Sequence, residues 1–94
     1  MSRAYKLTVE AIGISQESLN KVMKDQFGWE GEADSYQGTS YFNGDGHLYA
    51  GKSEEDAHNQ IYKVLKVINP NASIKTRWTY MDDLPFESYG DDID

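Results

Sequence analysis

Ser40, Asp45 and His47 are the residues of this chain that most resemble a nucleophile with a base and an orienting acid. In such a site the imidazole must contact the hydroxyl on one side and the carboxylate on the other. Here the three residues flank the sequence Asn-Gly-Asp-Gly at positions 43–46, which is typical of a tight turn because asparagine and glycine accept positive φ angles. A tight turn does not align the three side chains. The chain also has no glycine-rich phosphate or dinucleotide motif, so we expect it not to be an enzyme.

Metal binding is the second chemistry that the residue types allow. If Gly46 is placed at the invariant glycine of a calcium loop, Tyr41 falls at the first ligand position and Lys52 at the position of the bidentate acid. Neither residue can fill that role. His47 and His58 have no second ligand at a metal-site spacing, and the chain contains no cysteine. We therefore expect no bound metal and no other cofactor, with both histidines at the surface or partly buried.

The acidic residues form the most distinctive pattern of the sequence. The formal net charge is −7, and the last thirteen residues hold six acids and no base, whereas residues 1–81 hold ten acids against nine bases. Two further acidic clusters lie at positions 30–34 and 54–56. Negative charge gathered in this way repels nucleic acid and acidic membranes and attracts basic protein surfaces. A basic protein is therefore the expected partner.

The acidic tail, residues 82–94, also carries the large apolar residues Leu84, Phe86, Tyr89 and Ile93. Acids mixed with aromatic rings are typical of a segment that docks on a basic, partly apolar surface, with the rings as anchors. A tail that only keeps the chain in solution is the simpler alternative. The predicted partner-binding set combines acids and rings of the tail with the first acidic cluster: Asp82, Asp83, Phe86, Glu87, Tyr89, Asp91, Asp92, Glu30, Glu32 and Asp34.

Length and composition limit the architecture. A chain of 94 residues, 38% hydrophobic and 13% aromatic, is expected to form one domain, here residues 1–81, followed by the tail. Without cysteine there is no disulfide, and no apolar run approaches a signal peptide or the ~20 residues of a membrane helix. We expect a cytoplasmic location, in the host cell if the chain is phage-encoded, and no membrane partner. Whether the protein is a monomer or a dimer is left open.

Hydrophobic periodicity predicts the elements that would position these residues. Residues 5–11 alternate as a half-buried strand does, and Ser15 can cap a helix that ends near Gly28. Residues 30–34 are predicted to form a loop or the entry to a strand. Residues 36–50 are predicted to form a hairpin that turns at residues 43–46. A capped helix is predicted for residues 53–68 and a final strand for residues 74–81. The tail is predicted to be irregular. This β-α-β-β-α-β order resembles the ferredoxin-like fold, an α+β arrangement that implies a four-stranded antiparallel sheet with both helices on one face.

Two families with that fold suggest what the resemblance could imply for function. Acylphosphatases hold phosphate with an arginine in the loop after the first strand, but here residues 12–16 contain neither arginine nor lysine. RNA-recognition motifs stack bases on the uncovered sheet face. In this chain the alternation would place there the basic residues Lys6, Lys75 and Arg77, Thr8, and the rings of Tyr41, His47 and Tyr49. Because residues 47–51 lack the Lys/Arg-Gly-Phe/Tyr pattern, binding of a single-stranded nucleic acid is the alternative function and not the first.

Small, acidic, cysteine-free chains without a catalytic motif resemble a loose class of phage and mobile-element inhibitors. The class includes anti-CRISPR proteins and nucleic-acid mimics, and also the immunity proteins and antitoxins that block nucleases. The likeness lies in size, in charge and in the clusters at 30–34 and 82–94. It implies a non-enzymatic inhibitor that blocks a basic, nucleic-acid-handling protein. A structural module that dimerises through its open sheet face is a further alternative.

Overall fold

The computed structural model describes residues 3–48, 53–80 and 87–91. Within them the chain forms, in order, β1 (Arg3–Ile12), α1 (Gln16–Lys21), β2 (Glu30–Tyr36), β3 (Thr39–Leu48), α2 (Glu54–Ile68), β4 (Ser73–Tyr80) and β5 (Glu87–Gly90). Neighbouring strands are all antiparallel, in the spatial order β2-β3-β1-β4-β5. The predicted α+β class is confirmed, but the sheet has five strands where the sequence predicted four.

The additional strand belongs to the acidic tail. Residues Glu87–Gly90 pair with residues 75–78 of β4, so this part of the tail lies at the sheet edge and is not irregular as predicted. The segment contains a single apolar residue, Tyr89, and so shows no alternation, and backbone hydrogen bonds to a distant strand leave no mark on the local sequence. This is why the strand was missed.

The core lies on one face of the sheet, where β1 supplies Tyr5, Leu7, Val9 and Ala11, each at most 2% exposed. This is the alternation that the sequence predicted for residues 5–11. The first helix contacts β2 and β3, and the second contacts β4 and β5. Buried residues from the other elements complete the core, among them Leu19, Met23, Phe42, Ile61, Leu65, Ile74 and Trp78.

Both helices begin where the sequence predicted. The Ser15 hydroxyl accepts the backbone N–H of Ser18 at 3.1 Å at the start of α1, and Ser53 and Asp56 form a reciprocal capping box at the start of α2. After α1 the chain continues through a π-helical turn, residues 22–26, and Gly28 follows with a φ of +70°. Side-chain caps and a positive-φ glycine are local signals, which is why the sequence located these ends.

The hairpin turn does not lie where it was predicted. It falls at Gln37 and Gly38, which have φ angles of 49° and 81°, as a two-residue type I′ turn requires. Residues 43–46 instead lie inside β3. Gly46 is needed there because Trp29 packs directly over it: a Cβ at Gly46 would lie 2.4 Å from Cε3 of the indole. The two glycines of this segment thus make room for rings, since a Cβ at Gly44 would lie 2.6 Å from Cε2 of Phe42.

Replacing Gly46 by alanine should therefore destabilise the protein by about 1–3 kcal/mol, the usual cost of overpacking a core. The measurement is the urea midpoint of unfolding followed by circular dichroism. In a Trp29→Leu background, G46A should cost clearly less, because the ring that it meets is gone. Equal costs in the two backgrounds would contradict the proposed contact.

Candidate partner-binding surface

The buried residues of the helices and strands form one core on one face of the sheet, and we call the opposite face the open face. Since side chains alternate along each strand, the residues opposite to the buried positions share this face. On β1 they include Lys6, Thr8 and Glu10, which alternate with the buried Leu7 and Val9. The face also receives the outward-pointing residues of the neighbouring strands: Glu30, Glu32, Asp34, Tyr41, Asn43, Asp45, His47, Lys75 and Arg77.

The first acidic cluster of the sequence forms an ordered row on this face. Glu30, Glu32 and Asp34 are exposed and occupy alternate positions of β2, about 6.7 Å apart along the strand. Asp45 of β3 lies opposite Glu30 in the strand register. We call these four residues the acidic edge. The sequence predicted the acids but placed them in a loop or strand entry, and only the pairing with β3 gives them a common direction.

Most of the charge of the acidic edge is uncompensated. The Lys24 ammonium lies 3.1 Å from Oε1 of Glu32, with the lysine side chain 39% and the glutamate side chain 74% exposed. Among the residues that the structure describes, Glu30, Asp34 and Asp45 make no ion pair. Beside them is a shallow hollow of about 350 Å³, lined by Lys6, Thr8 and Asn43 as well as by Glu30 and Asp45. The acidic edge is thus a negative surface with two cations beside it, Lys24 paired with Glu32 and Lys6 in the hollow.

The outer backbone edge of β2 is covered at one point by a side chain from α1. The Gln16 amide donates from Nε2 to the Ala33 carbonyl at 2.8 Å, and its Oε1 accepts the Ser35 hydroxyl at 3.3 Å. This pair of hydrogen bonds ties the first helix to the strand that carries the acidic edge. It also occupies a carbonyl in the middle of that strand.

The opposite half of the open face carries the bases considered for nucleic-acid binding. Alternation brings Lys75 and Arg77 of β4 to the face of Tyr41 and His47, as the sequence indicated, while Tyr49 lies outside the described residues. Between them, however, Glu10 lies opposite both Tyr41 and Lys75 in register. Its carboxylate is 3.5 Å from the Arg77 guanidinium. A carboxylate at the centre of the face weakens it as a phosphate-binding surface.

The predicted residues of the tail are placed only in part. Asp82, Asp83, Phe86 and Asp92 lie outside the described residues, and Glu87 lies on β5. Tyr89 is half-buried, with its ring centroid 5.8 Å from that of His58. The structure therefore does not bring the described tail residues together with the acidic edge, since β2 and β5 are at opposite ends of the sheet.

Asp91 makes hydrogen bonds within the protein. Its Oδ2 accepts the backbone N–H of Ile74 at 3.0 Å, its own N–H donates to the Ile74 carbonyl at 2.8 Å, and the Tyr62 hydroxyl donates to its carboxylate at 3.3 Å. These bonds fasten the end of β5 to β4 and α2. A role in partner binding stays a prediction for this residue, and its structural role was not foreseen.

A buried histidine is the feature that sequence reasoning missed. His58 is 6% exposed and lies between Tyr62 and Tyr89, with Nδ1 2.7 Å from Oγ1 of Thr76. Burial lowers the pKa of His58 below its usual value, and the charges of Asp91 and Glu55 oppose this only in part. A signal was present, because His58 falls three residues before Ile61 on the apolar stripe of α2.

Ser40, Asp45 and His47 are not arranged as a nucleophile, a base and an orienting acid. Ser40 is buried on the helix-covered face and its hydroxyl donates to the Ile14 carbonyl at 2.6 Å, whereas Asp45 and His47 are exposed on the open face. No group of three possible metal ligands occurs in the part of the chain that the structure describes. None of the helices found there is long and apolar enough to cross a membrane.

Comparison with protein-family models, with curated proteins and with solved structures finds no significant match. The function must therefore be argued from the surface itself.

The internal role of Asp91 can be tested by substitution. Asp91→Ala leaves the Ile74 N–H and the Tyr62 hydroxyl without their acceptor and should cost about 1–3 kcal/mol of the free energy that holds β5 on the sheet. Asp91→Asn keeps one acceptor oxygen and should cost less. Amide hydrogen exchange of residues 88–91 measures both, and equal protection in D91A and the wild type would contradict this role.

Proposed function

We propose that this protein is a non-enzymatic inhibitor that binds and blocks a basic, nucleic-acid-handling protein through the acidic edge. The observation that carries the proposal is the row of exposed carboxylates on β2, extended by Asp45 across the strand pair. Regularly spaced carboxylates along an extended chain can take the place of backbone phosphates in a basic groove. The net charge of −7 favours the same class of partner.

The mechanism that we propose begins with electrostatic attraction. A negative surface raises the association rate with a positively charged protein, and this effect weakens as salt is added. The carboxylates of β2 lie on a strand paired along its length with β3, so little conformational entropy of the backbone would be lost on binding. Because β5 lies at the opposite end of the sheet from β2, the acids of residues 82–94 are proposed to make a second, separate contact with the partner. Phe86 is the proposed anchor of that contact, since the Tyr89 ring packs against His58.

We also propose that the part of the chain from β1 to β4 has the ferredoxin-like arrangement, with β5 added at one edge. The strand order and the strands that each helix contacts support this proposal. Because that fold serves many functions, it adds no weight to any of them.

The alternative is a module that binds single-stranded nucleic acid on the open face. Its support is the common placement of Tyr41, His47, Lys75 and Arg77. The Glu10 carboxylate beside Arg77 and the acidic edge on the same face oppose it, because both repel phosphate. Dimerisation through the open face is a third proposal, and no described contact favours it over the first two.

The first proposal is tested with a charge-matched pair of variants. E30Q/D34N removes two carboxylates of the acidic edge, and E17Q/D25N removes two exposed carboxylates from α1 and the π-helical turn that follows it, so each carries a net charge of −7 + 2 = −5. Each immobilised protein is exposed to an extract of the organism that carries the gene, and bound proteins are eluted with a DNA oligonucleotide. We expect the oligonucleotide to release proteins captured by the wild type, and their amount to fall about tenfold for E30Q/D34N only.

Two results would count against this proposal. Equal losses with both variants would mean that total charge matters and the acidic edge does not. Captured proteins that DNA cannot displace would not be nucleic-acid-handling partners. A labelled 20-nucleotide DNA strand, followed by fluorescence anisotropy, separates the alternative: we expect no binding, whereas binding that is lost in K75A/R77A would favour the open-face module.

A further inference from the structure

His58 lies in a chain of hydrogen bonds that is independent of the proposed partner. Trp78 donates from Nε1 to Oγ1 of Thr76 at 2.9 Å, and the same oxygen lies 2.7 Å from Nδ1 of His58. Since the indole nitrogen can only donate, the Thr76 hydroxyl accepts from Trp78 and can give its own proton to Nδ1. The indole N–H, the Thr76 hydroxyl proton and Nδ1 are all satisfied when Nδ1 carries no proton, which is the case in the neutral tautomer protonated on Nε2.

The C-terminal strand packs directly against this imidazole. Tyr89 of β5 faces the ring, and a Cβ added at Gly90 would lie 2.9 Å from Cε1 of His58. Beyond Gly90, Asp91 holds the chain to Ile74 and Tyr62. β5 thus forms part of the cover that keeps the imidazole from water.

The groups that face His58 come from three elements. The second helix contributes Glu55 and Tyr62, β4 contributes the uncharged Thr76, and β5 with the residue after it contributes Tyr89 and Asp91. The two carboxylates favour the imidazolium, but burial outweighs them and the pKa of His58 is lowered. Protonating His58 therefore costs free energy while β5 covers it, and this cost is removed when the imidazole is exposed to water.

We infer that β5 is an acid-released strand: protonation of His58 detaches residues 87–91 from β4 and α2 while strands β1–β4 stay folded. A proton on Nδ1 would make it a second donor toward Oγ1 of Thr76 and deprive the hydroxyl proton of its acceptor. The strand is short and lies at the sheet edge. Detaching it opens the imidazole to water at a smaller cost than unfolding the core.

The direction of the pH dependence follows from the lowered pKa. Once β5 is released, His58 returns toward its ordinary pKa of 6.5, so the released form binds the proton more tightly than the docked form. The attachment of β5 to β4 and α2 is therefore strongest above pH 6.5 and weakens as the pH falls below 6.5. The equilibrium constant for release rises by up to about tenfold per pH unit, the limit for a single proton.

Amide hydrogen exchange on the full chain tests this inference at pH 7.5 and pH 5.0, with rates corrected for the intrinsic effect of pH. The main probe is the Asp91 amide, which donates to the Ile74 carbonyl, and the reference is the amide of Val9 in the central strand. We expect the protection of Asp91 to fall relative to Val9, by at most about thirtyfold, the limit that one proton sets over this pH range. His58→Asn, whose Oδ1 can accept from Thr76 but does not titrate, should abolish the change. His47→Asn, at an exposed histidine, should keep it.

Three results would overturn the inference: an Asp91 protection that does not fall, a parallel fall at Val9, or a pH response that survives in H58N. If H58N does not fold, NMR titration of His58 in the wild-type protein decides. A measured pKa at or above 6.5 would then refute the inference. The test involves no partner, so its outcome is separate from that of the proposed function.

Discussion

The packing of Trp29 over Gly46 connects the core of this protein to its acidic surface. Trp29 comes immediately before β2, and its ring also meets Trp78 edge-on, with centroids 5.5 Å apart. Because its indole packs against both β3 and β4, Trp29 fixes the point at which β2 begins. A shift of one residue would turn every side chain of that strand to the other face. The outward direction of Glu30, Glu32 and Asp34 therefore depends on a contact buried on the opposite side of the sheet.

Much of the fold could be predicted because its signals are local. Ser15 and Ser53 cap the helices with their own side chains, and the alternation in β1 and β4 shows directly which face is buried. The turn could not be located because the sequence is misleading both at the real turn and at the predicted one. Gln37 is an unusual residue at positive φ, while Gly46 makes room for the ring of Trp29, which lies far from it in the sequence. The strand β5 could not be predicted either, because the strand that it pairs with, β4, is distant in the sequence and leaves no local pattern in residues 87–90.

The candidate surface was predicted in composition but not in arrangement. The acids at 30–34 are evident in the sequence, and the register with β3 turns them into a row to which Asp45 is added. Asp91 shows the opposite case. It belongs to the same acidic pattern, yet its carboxylate is taken up by Ile74 and Tyr62. Charge alone cannot separate these two uses of a carboxylate, because the difference lies in whether backbone or side-chain donors surround it.

The hydrogen bonds from Gln16 to Ala33 and Ser35 have a consequence for how other chains can meet this sheet. An exposed edge strand is normally a template on which a foreign strand can assemble, and fibrils grow in that way. Here the amide of Gln16 already occupies a carbonyl in the middle of β2. A neighbouring backbone would have to displace it, and would also bring its own side chains beside three like charges. A molecule that meets this end of the sheet would therefore contact side chains and not the strand backbone, and uncontrolled lateral growth of the sheet is disfavoured.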